Sequence, residues 1–276
     1  MKIDTHAHLN HPLFDKDREK IKQKCLDESF YVINIGTNLK SSQEVVELTN
    51  NEHFFATVGL HPQNLKTGVL RKKVEEENSE KMENIFDYNK YKELASHKKV
   101  VAIGEVGLDY YWKPKTTKRK KIFKEKQKDL LLKQLKLAKE LSLPVVFHCR
   151  MANQDLIKLL KENIDLKPEQ AVMHCFVGTE EELKSFLGFG FYIGLNGIIF
   201  KTLNNIDFKK IIQKTPLNRI LGETDCPFLT PPQKQKKRNE PFFVKHVLER
   251  IAEIKNMAYE EVLKITFENA QKMFKI

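Results

Sequence analysis

Short apolar segments alternate with amphipathic ones along the 276 residues of the chain, and this alternation limits the folds that it can adopt. Helical periodicity fills most of the intervals, and two further helices close the chain near 241–255 and 259–274. Strands that are apolar throughout and separated by helices are typical of an all-parallel sheet covered by helices. Eight segments have the length and the composition of such strands: 2–8, 31–36, 54–60, 100–108, 143–149, 170–176, 191–195 and 219–224.

The pattern predicts the α/β class and a (β/α)8 TIM barrel in a single domain, because eight strand–helix units of this length close into one barrel. An open, doubly wound sheet is the alternative, but no GxGxxG motif follows the first strand.

The segment 64–92 is rich in Lys, Glu and Asn and is longer than a usual strand-to-helix connection. We expect a partly helical surface insertion there rather than a second domain, since the segment has few apolar residues to bury.

Composition bounds the location of the protein. Hydrophobic residues make up 41% and charged residues 31%, which is typical of a globular chain. No apolar h-region follows Met1, and no apolar run approaches the roughly 18 residues of a membrane helix. The four cysteines show no CxxC spacing, as in proteins of reducing compartments. These features predict a cytoplasmic or nuclear protein without a signal peptide or a membrane segment.

Residues that bind metals recur at the ends of the predicted strands. In the first strand, alternation places Asp4, His6 and His8 on one side. The carboxyl ends of barrel strands meet at one mouth, where active sites lie. Five histidines and two acids would therefore converge, and imidazole with carboxylate is a ligand set for divalent metals. The candidates that end, lie in or follow the strands are His6, His8, His61, Glu105, His148, His174 and Asp225.

Three cysteines directly follow proposed ligands. Neighbours along a strand point to opposite faces, so Cys149 and Cys175 should face the helix layer if His148 and His174 face the mouth. Cys226 follows Asp225 in the same way. We expect buried structural thiols and no disulfide.

The formal net charge of +11 is concentrated in part near the mouth. Basic connections there favour a phosphate polymer as the partner, although a solvated lysine-rich surface is the alternative. Tyr110, Tyr111 and Trp112 lie beside the first basic cluster, where they would either stack on unpaired bases or pack under a helix. The basic residues are Lys113, Lys115, Lys118, Arg119, Lys120 and Lys121 after the fourth strand, and Lys234, Lys236, Lys237 and Arg238 after the eighth.

Ordered motifs over nearly the whole chain carry a family resemblance. The motifs are Asp4-Thr5-His6-Ala7-His8, Gly59-Leu60-His61-Pro62, the run from Gly104 to Tyr110, the run from Pro144 to Arg150, His174-Cys175-Phe176, Gly222-Glu223-Thr224-Asp225 and Arg238-Asn239-Glu240-Pro241. With these motifs the chain resembles the TatD-family metal-dependent deoxyribonucleases, a branch of the amidohydrolase-like barrels. It departs from the family pattern at Cys226, in place of Ser or Ala, at Met151, in place of an acid, and in the long segment at 64–92.

The resemblance implies two divalent ions, Mg, Mn or Zn, with Glu105 bridging them. It implies that the first ion is held by His6, His8, Glu105 and Asp225, and the second by Glu105, His148 and His174. It also implies that the catalytic residues are Glu105, Asp225, His61 and Glu223, the last two near the attacking water or the phosphate. Substrate phosphates are expected to contact Arg150 and Arg238.

The implied activity is two-metal hydrolysis of DNA phosphodiester bonds, with 3′–5′ exonuclease action on single-stranded ends, in DNA degradation or repair. We expect a monomer without an obligate protein partner. A small-molecule amidohydrolase stays an alternative, against which stand the basic connections and Glu105, where many binuclear amidohydrolases have a carboxylated lysine. A non-catalytic nucleic-acid-binding barrel is the other, against which stands the complete ligand set.

Overall fold

Eight parallel strands form one sheet in sequence order in a computed structural model of the chain, which describes residues 1–65, 86–235 and 237–276. The last strand returns to the first: Ala7 forms a parallel bridge with Cys226, and the Asp225 N–H donates to the His6 carbonyl at 2.9 Å. The predicted barrel is therefore confirmed, and the open sheet is excluded. The strands are β1 (Lys2–Ala7), β2 (Phe30–Ile35), β3 (Phe54–Val58), β4 (Val100–Asp109), β5 (Val145–Arg150), β6 (Ala171–Met173), β7 (Tyr192–Leu195) and β8 (Ile220–Gly222).

Helices follow the strands because the intervening segments have one apolar stripe each, which packs on the sheet. Several begin at a side-chain cap, such as Asn38 and Thr179, whose side chains accept backbone N–H groups of the first turn. In the described part of the chain the helices are α1 (Arg18–Asp27), α2 (Leu39–Glu47), α3 (Tyr88–Ala95), α4 (Thr117–Glu140), α5 (Asn153–Glu162), α6 (Glu180–Gly188), α7 (Phe208–Lys214), α8 (Val244–Lys255) and α9 (Tyr259–Phe274).

The core has two layers, as alternation along the strands requires. Val145 and Phe147 of β5 pack outward with the helices, whereas Val146 between them belongs to the inner cluster. The inner cluster also contains Phe267 and Met273 of α9. Helix α9 therefore packs on the side chains that lie near the strand starts, and the carboxyl ends remain for a site.

Helix α4 reaches the carboxyl ends through two buried glutamines on one face. The Gln134 amide accepts from the Leu60 N–H at 2.7 Å and donates to the Leu60 carbonyl at 3.0 Å. The Gln127 amide makes the same pair of bonds with Asp109, at 2.8 and 3.0 Å. These bonds replace the strand partners that the chain lacks where β3 and β4 end. They fix the backbone next to two residues of the site, His61 and Asp109.

Most of the insertion expected at 64–92 lies outside the described residues, since 66–85 are not described. From Tyr88 onward its last residues form α3, a barrel helix that buries Tyr91 and Ala95 against the core. Among the described helices, none combines the length and the apolar character that crossing a membrane would require.

Candidate metal centre

The seven candidate residues lie towards the carboxyl ends of six strands, as predicted. Within the described ranges, three triads have ligand atoms that all lie within 4.8 Å of one another. Glu105 belongs to two of them, and so does His6. The triads are His6–His8–Asp225, His6–Glu105–His174 and His61–Glu105–His148. The sequence-predicted ligands are thus brought together, but His61 joins Glu105 and His148 in the third triad, where the prediction had His174.

Four imidazoles surround the Glu105 carboxylate. Its Oε1 lies 2.7 Å from His148 Nδ1, 3.6 Å from His61 Nε2 and 3.7 Å from His174 Nε2, and its Oε2 lies 3.6 Å from His6 Nε2. Burial would raise the pKa of Glu105, but His61, His174 and the other imidazoles outweigh burial and hold it well below its usual range. Glu105 is therefore an ionised carboxylate with each oxygen facing a different part of the cluster, as a bridging ligand requires.

Asp225 is the second carboxylate that contacts imidazoles of the cluster. Its Oδ1 lies 3.4 Å from His8 Nε2, 3.7 Å from His6 Nε2 and 3.9 Å from His174 Nε2. The backbone of Asp225 has φ 59°, in the left-handed region, just beyond the end of β8. Burial opposes ionisation, but the three imidazoles lower the pKa of this carboxyl below its ordinary value.

The environment of the His6 ring shows whether a metal would fit in this cluster. Its ring is fully buried, and among the described residues neither ring nitrogen has a hydrogen-bond partner. The His174 ring stacks on it with the centroids 3.4 Å apart. Burial and His174 lower the pKa of His6, so this imidazole stays neutral and keeps a lone pair. A buried, unpaired imidazole between two carboxylates is costly alone, and a divalent cation bound at Nε2 would satisfy it.

Carboxylates behind the cluster hold two of the imidazoles. Glu223 Oε1 lies 2.8 Å from His174 Nδ1 and accepts the Cys175 N–H at 2.7 Å and the Asn196 amide at 3.1 Å. This set of contacts fixes the ring of His174 so that Nε2 faces Glu105. Glu223, expected near the attacking water or the phosphate, thus lies behind a ligand.

Asp109 plays the same part for His148. Its Oδ2 lies 3.2 Å from His148 Nε2 and 2.5 Å from the Gln63 amide. Burial opposes the charged imidazole, but Asp109 and Glu105 outweigh it and raise the pKa of His148 to about 10. Asp109 stood in a motif of the sequence, yet no role was predicted for it.

The β1 alternation did not predict the place of Asp4 correctly. The pairing of β1 with β2 shifts register between Asp4 and Ala7, and Asp4 joins neither His6 nor His8 in a triad. Its buried carboxylate accepts instead from the Thr224 N–H at 2.9 Å and the Thr224 hydroxyl at 2.5 Å. Burial raises the pKa of Asp4 to about 8 against these hydrogen bonds. Asp4 ties β1 to the segment that carries Asp225.

His61 caps a short 3-10 turn, and this fixes its tautomer. Its Nδ1 accepts the N–H of Gln63 at 3.1 Å. In the neutral ring the proton then lies on Nε2, which is directed towards Glu105. The sequence signal for this arrangement is His-Pro: His11, before Pro12, caps the turn after β1 in the same way, accepting from Leu13 at 3.1 Å.

Arg238 was expected to bind a substrate phosphate, but its guanidinium is engaged inside the protein. Both Nη atoms donate to the Asp17 carboxylate at 2.8 Å, and further bonds reach the Leu13 carbonyl at 2.5 Å and Glu240 at 3.2 Å. The guanidinium carbon lies 4.0 Å from the centroid of the Phe14 ring. The planar fork that would bind two phosphate oxygens already binds Asp17. Arg238 therefore fastens the loop after β8 to the segment after β1.

The cysteines lie around the cluster as free thiols. Cys149 packs against the outer core, as parity predicted, and Cys226 is buried there. Cys175 lies beyond the end of β6, so strand alternation does not determine its side; its Sγ contacts Asn196 at 3.5 Å. Burial raises the pKa of all three thiols well above the ordinary value.

The basic connection after β4 is exposed. The side chains of Lys113, Lys115, Lys118, Arg119 and Lys121 face solvent. In the second cluster Lys237 is exposed and Lys234 half-buried, while Lys236 is outside the described residues. Tyr110 is buried and donates its hydroxyl to Asp155 at 2.9 Å, so it is a packing residue.

Several known proteins are similar to this chain in sequence or in fold. The model of the TatD-related DNase family matches residues 3–275. The metal-dependent hydrolase YabD of Bacillus subtilis is 37% identical over all of both chains, and the 3′-5′ ssDNA/RNA exonuclease TatD of Escherichia coli is 32% identical over 91% of this chain and 90% of that one. The solved structure of the TatD homologue YJJV from Escherichia coli superposes with a TM-score of 0.80 at 27% identity, covering 100% of this chain and 98% of that one. The chain therefore belongs to the TatD-related DNase family.

Proposed function

We propose that this metal-dependent hydrolase cleaves phosphodiester bonds of single-stranded DNA, from the 3′ end, at two divalent ions held by the mouth of the barrel. The observation that carries the proposal is the position of Glu105, whose carboxylate is shared by two of the three ligand triads. Relatives of the chain bear the name 3′-5′ ssDNA/RNA exonuclease, which supports both the substrate and the direction of cleavage.

The residues present fit two ions that share Glu105. His6, His8 and Asp225 would hold one ion with Glu105, and His148 and His174 the other; His6 and Glu105 are the residues that link the three triads. Nitrogen and oxygen ligands without a thiolate suit Mg, Mn or Zn. Bound ions would supply Lewis acidity towards the phosphodiester and lower the pKa of a water at the mouth.

The protein side chains would orient the metal ligands and donate a proton in a hydrogen bond to the substrate. Glu223 and Asp109 keep His174 and His148 in place, so the ligand atoms are positioned before substrate binds. His61 carries its proton on Nε2 and is suited to donate it in a hydrogen bond to a non-bridging phosphate oxygen. Arg150 is the candidate for a second phosphate contact.

Digestion of end-labelled oligonucleotides tests the proposal. Single- and double-stranded DNA, labelled at the 5′ or the 3′ end, are incubated with the protein and Mg, Mn or Zn, and the products are mapped. The proposal expects mononucleotides released from the 3′ end of single strands, with cleavage abolished by chelation. Hydrolysis of cyclic amides without cleavage of DNA would favour the amidohydrolase alternative, and DNA binding without any cleavage would favour the non-catalytic barrel.

A further inference from the structure

Tyr111 and Arg150 form a stacked pair where β4 and β5 end. The guanidinium carbon of Arg150 lies 3.7 Å from the centroid of the Tyr111 ring. The backbone supports this contact, because Asp109 and Arg150 are register partners and the Tyr110 N–H donates to the Arg150 carbonyl at 2.9 Å. The pair is therefore anchored at the barrel, because Arg150 is the last residue of β5 and Tyr111 follows the end of β4 by two residues.

One carboxylate joins this pair to the candidate metal centre. Asp109 accepts the Tyr111 N–H on Oδ1 at 2.9 Å, and its Oδ2 lies 3.2 Å from Nε2 of His148. A group bound on Tyr111 would consequently lie beside the residues that are candidates to hold the metals.

Both members of the pair are available to a ligand. Tyr111 is 46% exposed, and the Arg150 side chain is exposed. Across the described part of the chain, no carboxylate or carbonyl binds the Arg150 guanidinium, whereas both Nη atoms of Arg238 donate to Asp17. Stacking orients a guanidinium without using its N–H groups, so Arg150 presents oriented donors.

A second aromatic ring, that of Trp112, and several basic side chains lie beside the Tyr111–Arg150 pair. The Trp112 ring packs edge-to-face with Tyr111 at a centroid distance of 4.9 Å. Exposed basic side chains follow within ten residues, at Lys113, Lys115, Lys118, Arg119 and Lys121. Aromatic faces interleaved with basic residues bind single-stranded nucleic acid, through base stacking and contacts to the phosphate backbone.

We propose that Tyr111, Trp112 and Arg150 form a subsite for one unpaired nucleotide of the substrate strand. Its base stacks on Tyr111, and its phosphate accepts hydrogen bonds from Arg150. A base inside a duplex is already stacked on its neighbours, so the subsite selects unpaired strands. The subsite rests on the proposed function for the reaction next to it, but strand binding can be measured without cleavage.

The single tryptophan of the chain makes the test specific, because intrinsic tryptophan fluorescence comes from Trp112 alone. The metal-loaded protein is titrated with a phosphorothioate oligothymidylate that resists hydrolysis. We expect saturable quenching by the single strand and none by a blunt duplex. Tyr111→Leu and Arg150→Gln should each weaken binding roughly tenfold or more, and Tyr111→Phe should restore it, because stacking needs the ring and not the hydroxyl.

Arg219→Gln is the matched control, since Arg219 also lies over a tyrosine, Tyr192, at 5.0 Å, but near the strand starts at the opposite end of the barrel. The subsite is overturned if Trp112 fluorescence does not respond to the single strand, or if Tyr111→Leu and Arg150→Gln bind and cleave like the parent. Quenching by a single strand that the parent fails to cleave keeps the subsite and refutes the proposed function. Normal cleavage by both variants refutes the subsite and leaves the proposed function standing.

Discussion

The Glu223 carboxylate lies 2.8 Å from Nδ1 of His174, while Glu105 lies 3.7 Å from Nε2 on the other side of the ring. His174 is thus held between a carboxylate that orients it and a carboxylate that shares its candidate metal. We infer from this relationship that Glu223 positions the His174 ring rather than contacting substrate directly. Mutation of Glu223 can test this role.

Glu223→Ala should lower metal affinity and kcat together by roughly 10- to 100-fold, the usual effect of removing an outer partner of a metal ligand. Glu223→Gln should retain part of both, because the amide oxygen can still accept from the backbone of Cys175. Calorimetric titration of the metal-free protein, with kcat measured beside it, gives both values. Full metal affinity in Glu223→Ala with lost turnover would instead indicate direct participation in the reaction.

Arg238 and Asp17 form a bidentate pair between segments 221 residues apart. Arg238 lowers the pKa of Asp17, so the pair stabilises the fold above the pKa of an unfolded aspartate, about 4, and this stabilisation is lost as the pH falls through the folded value. Solvent screens the pair, so Asp17→Asn should cost only roughly 0.5–1 kcal/mol.

Urea unfolding of Asp17→Asn checks this at about pH 7 and about pH 3. The difference from the parent should be fully present at neutral pH and smaller in acid. Asp27→Asn is the control, because Asp27 is exposed and accepts a hydrogen bond from Gln23 of the same helix. If Arg238 contacts substrate instead, Arg238→Gln would reduce cleavage in proportion to salt-dependent binding while leaving unfolding unchanged.

The thiols should react slowly in the folded protein. Burial raises the pKa of Cys25 to about 12 and that of Cys149, Cys175 and Cys226 well above the usual value, so few thiolates exist at neutral pH. Titration with an aromatic disulfide reagent should find all four thiols in denaturant and no fast one without it. A native Cys149–Cys175 disulfide, or metal lost on rapid modification of one thiol, would contradict the structural role.

Gln134 supports the site from a distance. Gln134→Leu keeps the size of the side chain but leaves the buried N–H and carbonyl of Leu60 without partners. We expect a loss of about 2–4 kcal/mol in the free energy of unfolding, since each unpaired buried group costs roughly 1–3 kcal/mol. Gln154→Leu on the exposed face of α5 is the control and should change stability by less than about 0.5 kcal/mol. Equal, small effects of the two substitutions would refute this role for Gln134.

Much of the fold follows from local pattern. Apolar runs predicted all eight strands within a few residues, and helix α9 begins and ends where its periodicity indicates. The convergence of His6, His8, Glu105, His148, His174 and Asp225 also follows, because any barrel brings its strand ends together.

Other features depend on contacts between distant parts of the chain. The register shift in β1 changes the side to which Asp4 points, and periodicity alone cannot show a bulge. In the sequence, Gln127 and Gln134 are simply polar residues of a long helix. Their hydrogen bonds to Asp109 and Leu60 can be recognised only when the strand ends are placed beside that helix. The partner of Arg238 is Asp17, near the opposite end of the sequence, so the sequence alone could not distinguish a solvated basic run from a partly exposed ion pair.

We propose that Glu105 joins the ions at which DNA is hydrolysed. This proposal is tested by the metal content per chain, determined on the same samples as single-strand cleavage, for the parent, Glu105→Gln and the exposed control Glu162→Gln. We expect about two ions and active cleavage in the parent and the control, and loss of bound metal with cleavage below roughly one hundredth in Glu105→Gln. Full metal content with parental turnover in Glu105→Gln would contradict it.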